Sequence, residues 1–192
     1  MNCDQLVKAD ISNDCSAVHT KGYKALGKLI NYDDIDWANV AYNTGKTNSV
    51  KTLPLLSGKT GYDVVQLGNQ PFTGTKVDMV EGTYRNTFTN TCSFVVLDND
   101  PDMAEDIIDG LASGKFVLIL QSLDMGDSTN KDGAFRIFGM VNGLHATALA
   151  NDAYSDAFNG WVVTLVEENN PNSAMFLFDT SYATTLTAFN AY

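Results

Sequence analysis

The sequence predicts a mainly β fold with one flanking α-helix, an α+β chain forming a single β-rich domain over residues 1–192. Three observations carry this. Short runs rich in β-branched and aromatic residues recur along the chain, separated by clusters of Gly, Asn, Asp and Pro. One stretch, 100–114, carries apolar residues at helical spacing between a capping aspartate and a glycine. Hydrophobic residues make up 44% of the 192, near the globular average, so a core can form.

The elements follow in order. Residues 1–22 are polar and mixed, with Leu6, Val7, Ile11 and Val18 scattered, and read as a short strand or an N-terminal arm. A strand follows near Tyr23 to Ile30, then a turn-rich connection over Asn31 to Trp37, where Asn and Asp bond their own backbone. Residues 42–61 are rich in Gly, Thr, Asn and Ser and contain Lys46, Lys51 and Lys59 without an acid. This segment reads as a flexible basic loop or hairpin arm, with an edge strand from Val50 to Leu56 around Pro54. Tyr62 to Leu67, Gly74 to Val80 and Gly82 to Leu97 read as strands, and the run Phe94 to Leu97 is expected to be buried.

The helix is the clearest element. Asp100 is a good N-cap, because its carboxylate accepts from free first-turn N–H groups. Pro101 sits at the first helical position, where its missing N–H costs nothing. Met103, Ala104, Ile107, Ile108 and Leu111 form the apolar stripe, and Gly114 is expected to supply a left-handed stop. Phe116 to Leu120 is unbroken and apolar, so both of its faces are expected to be covered. A polar loop over 126–133 precedes a strand from Ala134 to Val141. Asn142-Gly143 then predicts a hairpin returning through Leu149. After a loop over 151–160, Trp161 to Val166 is a strand, Glu167 to Ser173 a turn, and Ala174 to Phe178 a last strand. The remainder, 180–192, is Thr- and Ala-rich and reads as a segment that either packs or stays loose.

Charge divides the chain. Residues 1–97 hold nine basic and nine acidic side chains, whereas 98–192 hold three and fourteen, which accounts for the net charge of −11. The helix places Asp102, Glu105, Asp106 and Asp109 on a candidate acidic face. This balance argues against sequence-specific nucleic-acid binding, which needs a basic footprint. No run approaches the ~18 apolar residues that span a membrane. The N-terminal residues lack a signal-peptide pattern, so a soluble protein made in the cytoplasm is expected.

Motifs for chemistry are weak. The Gly-Lys-Thr triplets at Gly45 and Gly58 lack the earlier glycine of a phosphate loop, since Val40 and Leu53 stand there. The run of aspartates from Asp98 to Asp109 lacks the glycine that a calcium loop needs, Met103 standing in its place. His19 and His145 have no ligand set beside them, and Cys3, Cys15 and Cys92 fit neither a disulfide framework nor a zinc pattern. The acid pairs Asp33/Asp34 and Glu167/Glu168 read as solvated turn residues rather than a catalytic pair. Neither an enzyme, a cofactor nor a metal is expected. Tyr154, Trp161 and Tyr182 are candidate stacking residues, but alternation puts Trp161 on the core face with Val163 and Leu165.

Several segments carry a resemblance. They are Ile107-Ile108-Asp109-Gly110-Leu111-Ala112-Ser113-Gly114-Lys115-Phe116, Phe135-Arg136-Ile137-Phe138-Gly139, Asn142-Gly143-Leu144 and Gly160-Trp161-Val162-Val163-Thr164-Leu165. Asn31-Tyr32-Asp33-Asp34-Ile35-Asp36 and Gly82-Thr83-Tyr84-Arg85-Asn86-Thr87 add to them. Together they resemble a family of virion proteins from phages infecting Bacteroides and relatives, crAss-like phages included. The resemblance implies a tail-tube-like β-sandwich with a flank helix and a long loop or hairpin arm. It implies a ring-forming structural subunit of the tail, neck or portal–tail region. Its partners would be copies of itself and other virion proteins, with DNA passing through the ring. Lys46, Lys51 and Lys59 are then the candidate inter-subunit contact. The alternative is a non-enzymatic β-sandwich module that binds a glycan or host receptor.

Overall fold

Eleven strands form two sheets in the computed structural model, which describes residues 7, 9–11, 19–126, 130–154 and 160–192. Most of the expected arm over 1–22 therefore lies outside the described residues. The strands are β1 (Tyr23–Asn31), β2 (Ala41–Tyr42), β3 (Ser49–Thr52), β4 (Tyr62–Val65), β5 (Lys76–Val80) and β6 (Thr87–Val96). They continue as β7 (Phe116–Ser122), β8 (Phe135–Phe138), β9 (His145–Asn151), β10 (Trp161–Asn170) and β11 (Met175–Leu177). The larger sheet has the order β2-β3-β11-β8-β7-β1-β4 and the smaller one β5-β6-β10-β9. The expected mainly β fold with a flank helix is what forms.

Central strand β7 explains the layering. Phe116, Leu118 and Leu120 point into a core shared with Cys92, Phe94, Val163 and Leu165 of the smaller sheet. Val117 and Ile119 point the other way, into a second core with Phe135, Ile137, Met175 and Phe189. Both faces are thus covered, which is why the run carries no polar residue before Gln121. The second core is roofed by helix α3 (Tyr182–Ala191), which the Thr-rich sequence of 180–192 concealed. Ser181 caps it by accepting from the Thr184 N–H at 3.2 Å.

The flank helix starts as expected, with the Asp100 carboxylate accepting from Met103 N–H at 2.7 Å. It runs as α1 (Pro101–Met103), a π-helical turn over Ala104–Ile108, and α2 (Asp109–Ser113). Ile108 and Leu111 enter the inter-sheet core, whereas Ile107, expected in the same stripe, is 39% exposed. Gly114 is not left-handed: its backbone is extended, at φ −89°. A glycine stands there because a Cβ would collide with the Phe116 ring and the Gly110 carbonyl.

Further expectations are corrected. Asn142-Gly143 does not close a hairpin, because β8 belongs to the larger sheet and β9 to the smaller. The turn carries the chain between sheets, with Phe116 and Leu144 exchanging backbone hydrogen bonds of 2.8 and 2.7 Å at its exit. Residues 42–61, expected as a basic loop or hairpin arm with a strand from Val50 to Leu56, form that strand earlier and shorter, as β3 (Ser49–Thr52), and it lies within the larger sheet. Its Val50 is fully buried and its parallel partner is β11, and Gly61 N–H donates to the Tyr192 carbonyl at 2.8 Å. Glu167 is not in a solvated turn, since β10 runs on to Asn170. Leu97, expected to be buried, is 48% exposed just beyond β6.

Candidate functional site

Two features stand out once the layers are placed: a buried carboxylate and an apolar groove. Alternation along β10 turns Val163, Leu165 and Glu167 inward, and Glu167 has no solvent exposure. Its cross-strand partner is Asn90 of β6. One carboxylate oxygen accepts from Asn90 Nδ2 at 2.7 Å, Asn170 Nδ2 at 2.9 Å and Gly139 N at 3.1 Å. The other accepts from Val141 N and Asn142 N, both at 2.9 Å. Five donors aimed at the carboxylate leave neither of its buried oxygens without a partner. No salt bridge reaches this carboxylate among the described residues.

The local backbone is shaped for this contact. A bulge between Glu167 and Asn170, with Asn169 at φ 58°, turns Asn170 back inside. Gly139 takes φ 85°, and a Cβ there would run into the Phe116 carbonyl oxygen. Tyr32 adds a further tie, donating from Oη to the Val141 carbonyl at 2.8 Å. Glu167 is therefore the pin that fastens the sheet-to-sheet crossover. With every face occupied it offers nothing to a substrate. Nearby, burial pushes the Cys92 thiol well above its ordinary range, and the Glu167 charge adds to this.

The groove, of about 780 Å³, lies between β4, the C-terminal end of β6 and the flank helix. Tyr62, Val65, Leu97, Met103 and Ile107 line it, and three acids but no Lys or Arg share the lining: Asp63, Asp98 and Asp106. Gln66, also in the lining, accepts from the Val95 N–H at 2.8 Å and donates to the Val95 carbonyl at 2.9 Å. Sequence reasoning missed the groove because β4 and the helix come together only in three dimensions.

The residues singled out from sequence fall as follows. Asp102, Glu105, Asp106 and Asp109 are all exposed on the flank helix. Lys46 lies 3.6 Å from Asp132, and Lys59 lies 2.9 Å from Asp34. The Lys59 ammonium, helped by the Asn31 amide at 2.8 Å, holds the Asp34 carboxyl below its ordinary range. Lys51 is exposed and has no ion pair among the described residues. His19 contacts Asp124 at 2.9 Å, and His145 is exposed on β9. Trp161 packs against the inter-sheet core, Tyr182 stacks on Phe135, and Tyr154 is 99% exposed. Cys3 and Cys15 lie outside the described residues. Among the described residues no cluster of His, Cys, Asp and Glu is arranged to hold a metal, and no helix is long and apolar enough to cross a membrane.

Comparisons with protein-family models, with curated proteins and with solved structures find no match to this chain.

Proposed function

We infer that this chain is a structural protein that assembles with copies of itself, as a ring subunit in the tail, neck or portal–tail region of a tailed phage. One observation carries the self-assembly: a group of large apolar side chains stays exposed on two open sheet edges and beside the groove, while others are scattered over the surface. β4 and β5 are edge strands, and Tyr62, Val65, Met79 and Val80 on them are 56%, 57%, 61% and 47% exposed. Asp63 on β4 and Lys76 and Asp78 on β5 put charge on these edges, but Asp63 is paired with Lys28 and Lys76 with Asp78, and the apolar side chains beside them stay open. The virion setting rests on the sequence resemblance. Asp102, Glu105 and Asp109, exposed on the flank helix, fit a surface past which DNA slides, since they offer no counterion-release affinity. Lys51 is the lysine of the 42–61 segment free to meet an acidic neighbour, as Lys46 and Lys59 are already engaged.

The test is the size of the purified protein, read by mass photometry and negative-stain electron microscopy. Closed rings of many copies are expected. A monomer at every concentration, particularly one that binds a glycan on an array, would overturn the reading in favour of a binding module.

A further inference from the structure

This inference rests on the self-assembly reading and adds which surfaces meet. The turn between β5 and β6 forms a knob. Met79 and Val80 are 61% and 47% exposed, and Tyr84 at the tip is 100% exposed. The tip is braced from within, because Asn86 accepts from Gly82 N–H at 3.3 Å and its amide lies 3.6 Å from the Met79 sulfur. A knob ordered before contact loses less conformational freedom on docking than a loose loop would. Arg85 is the cation of the tip, with Glu81 at its root, and it has no ion pair among the described residues.

The apolar groove lies at the opposite end of the same strand. β6 starts at Thr87, beside the knob, and ends at Val96 in the groove lining. Ten strand residues separate the two features by about 30 Å, at ~3.3 Å per residue. The knob of one chain therefore cannot fill its own groove. An exposed aromatic tip and an acid-rimmed apolar groove at the two ends of one strand are complementary only between molecules.

We propose that the Tyr84 hairpin tip of one copy docks in the groove between β4, the end of β6 and the flank helix of the next copy. Tyr84 and Met79 would lie against Tyr62, Val65, Leu97 and Ile107, with Arg85 facing Asp98 and Asp106. The contact is head-to-tail, since different patches of the two copies meet. It closes into a ring or stacks into a column according to the rotation between copies.

The experiment compares wild type with Tyr84→Asp and Ile107→Lys, both at exposed positions, with circular dichroism to check the fold. Each substitution alone is expected to raise the concentration needed for assembly at least tenfold. Mixing the two variants is expected to give dimers and nothing larger, because one knob and one groove survive in each pair. A photo-crosslinking residue at position 84 of otherwise wild-type protein is expected to link to residues 62–66, 94–98 or 103–111 of a second copy. Full assembly by both variants, or cross-links from position 84 only to other segments, would overturn the docking while leaving self-assembly intact. A wild type that never assembles would instead overturn the self-assembly reading, and the docking with it.

Discussion

Glu167 accepts five hydrogen bonds with no solvent exposure, and that number sets what a substitution must cost. Glu167→Gln keeps the shape but offers one oxygen and one NH₂. Whichever way the amide turns, its NH₂ faces at least two donors. Bonds to a charged group contribute ~1.5–3 kcal/mol each, so we expect a loss of about 2–4 kcal/mol in a urea titration. A change below about 0.5 kcal/mol would mean that the pin is not needed. Asp34 allows a pH test. Its carboxyl is held below the ordinary 3.8 by Lys59 and then Asn31. A depressed carboxyl contributes stability that is fully present above its unfolded value and lost as pH falls through the folded one. Urea midpoints of wild type and Asp34→Asn should therefore differ by a constant amount above about pH 5 and converge below 3.8. The effect is small, because water screens a partly exposed pair.

At the scale of elements, the two helices do different work. The flank helix is set by local signals at its start, and loss of the Asp100 cap is worth ~1 kcal/mol. Its π-turn shifts the stripe, so Ile108 and Leu111 reach the core while Ile107 turns to the groove. Helix α3 depends instead on tertiary cover. Phe189 is 1% exposed and packs on Phe135 with ring centroids 5.1 Å apart. Phe189→Ala should cost ~3–5 kcal/mol by thermal or urea unfolding, the range for deleting a buried aromatic. A loss as small as the cap's would mean that the second core survives without its roof.

At the scale of the whole molecule, charge and exposure are unevenly distributed, and both bear on assembly. The acidic excess lies in the second half of the sequence, and the lysines of 42–61 lie in the first. β3, which carries Lys51, lies next to one end of the larger sheet, while β4, beside the acidic groove, forms the other end. Lys51→Glu is expected to weaken ring formation severalfold at low salt and much less at high salt, as judged by mass photometry. Salt screens exposed pairs over about 10 Å at 0.1 M, so a salt-independent effect would point to packing instead. Unchanged assembly at all salts would remove Lys51 from the contact.

The order of most strands, the capped start of the flank helix and the two-faced burial of Phe116 to Leu120 were legible in the sequence. They depend on local signals: alternation, a cap, and a proline at the first helical position. The sheet to which each strand belongs was not legible. Asn142-Gly143 reads as a hairpin by local rules, yet it crosses between sheets, because Glu167 takes the crossover N–H groups that a hairpin would place in a ladder. Glu167 looked solvated because two acids before a proline normally are, and only the bulge at Asn169 and the Asn90 amide from a distant strand make its burial possible. The groove was invisible for the same reason, as its walls come from segments far apart in the chain. The mainly β fold, the flank helix and the acidic half could be read from the chain alone, because they depend on composition and near neighbours. The sheet assignment, the Glu167 pin and the knob and groove at opposite ends of β6 emerge only on folding, because they depend on which distant strands meet.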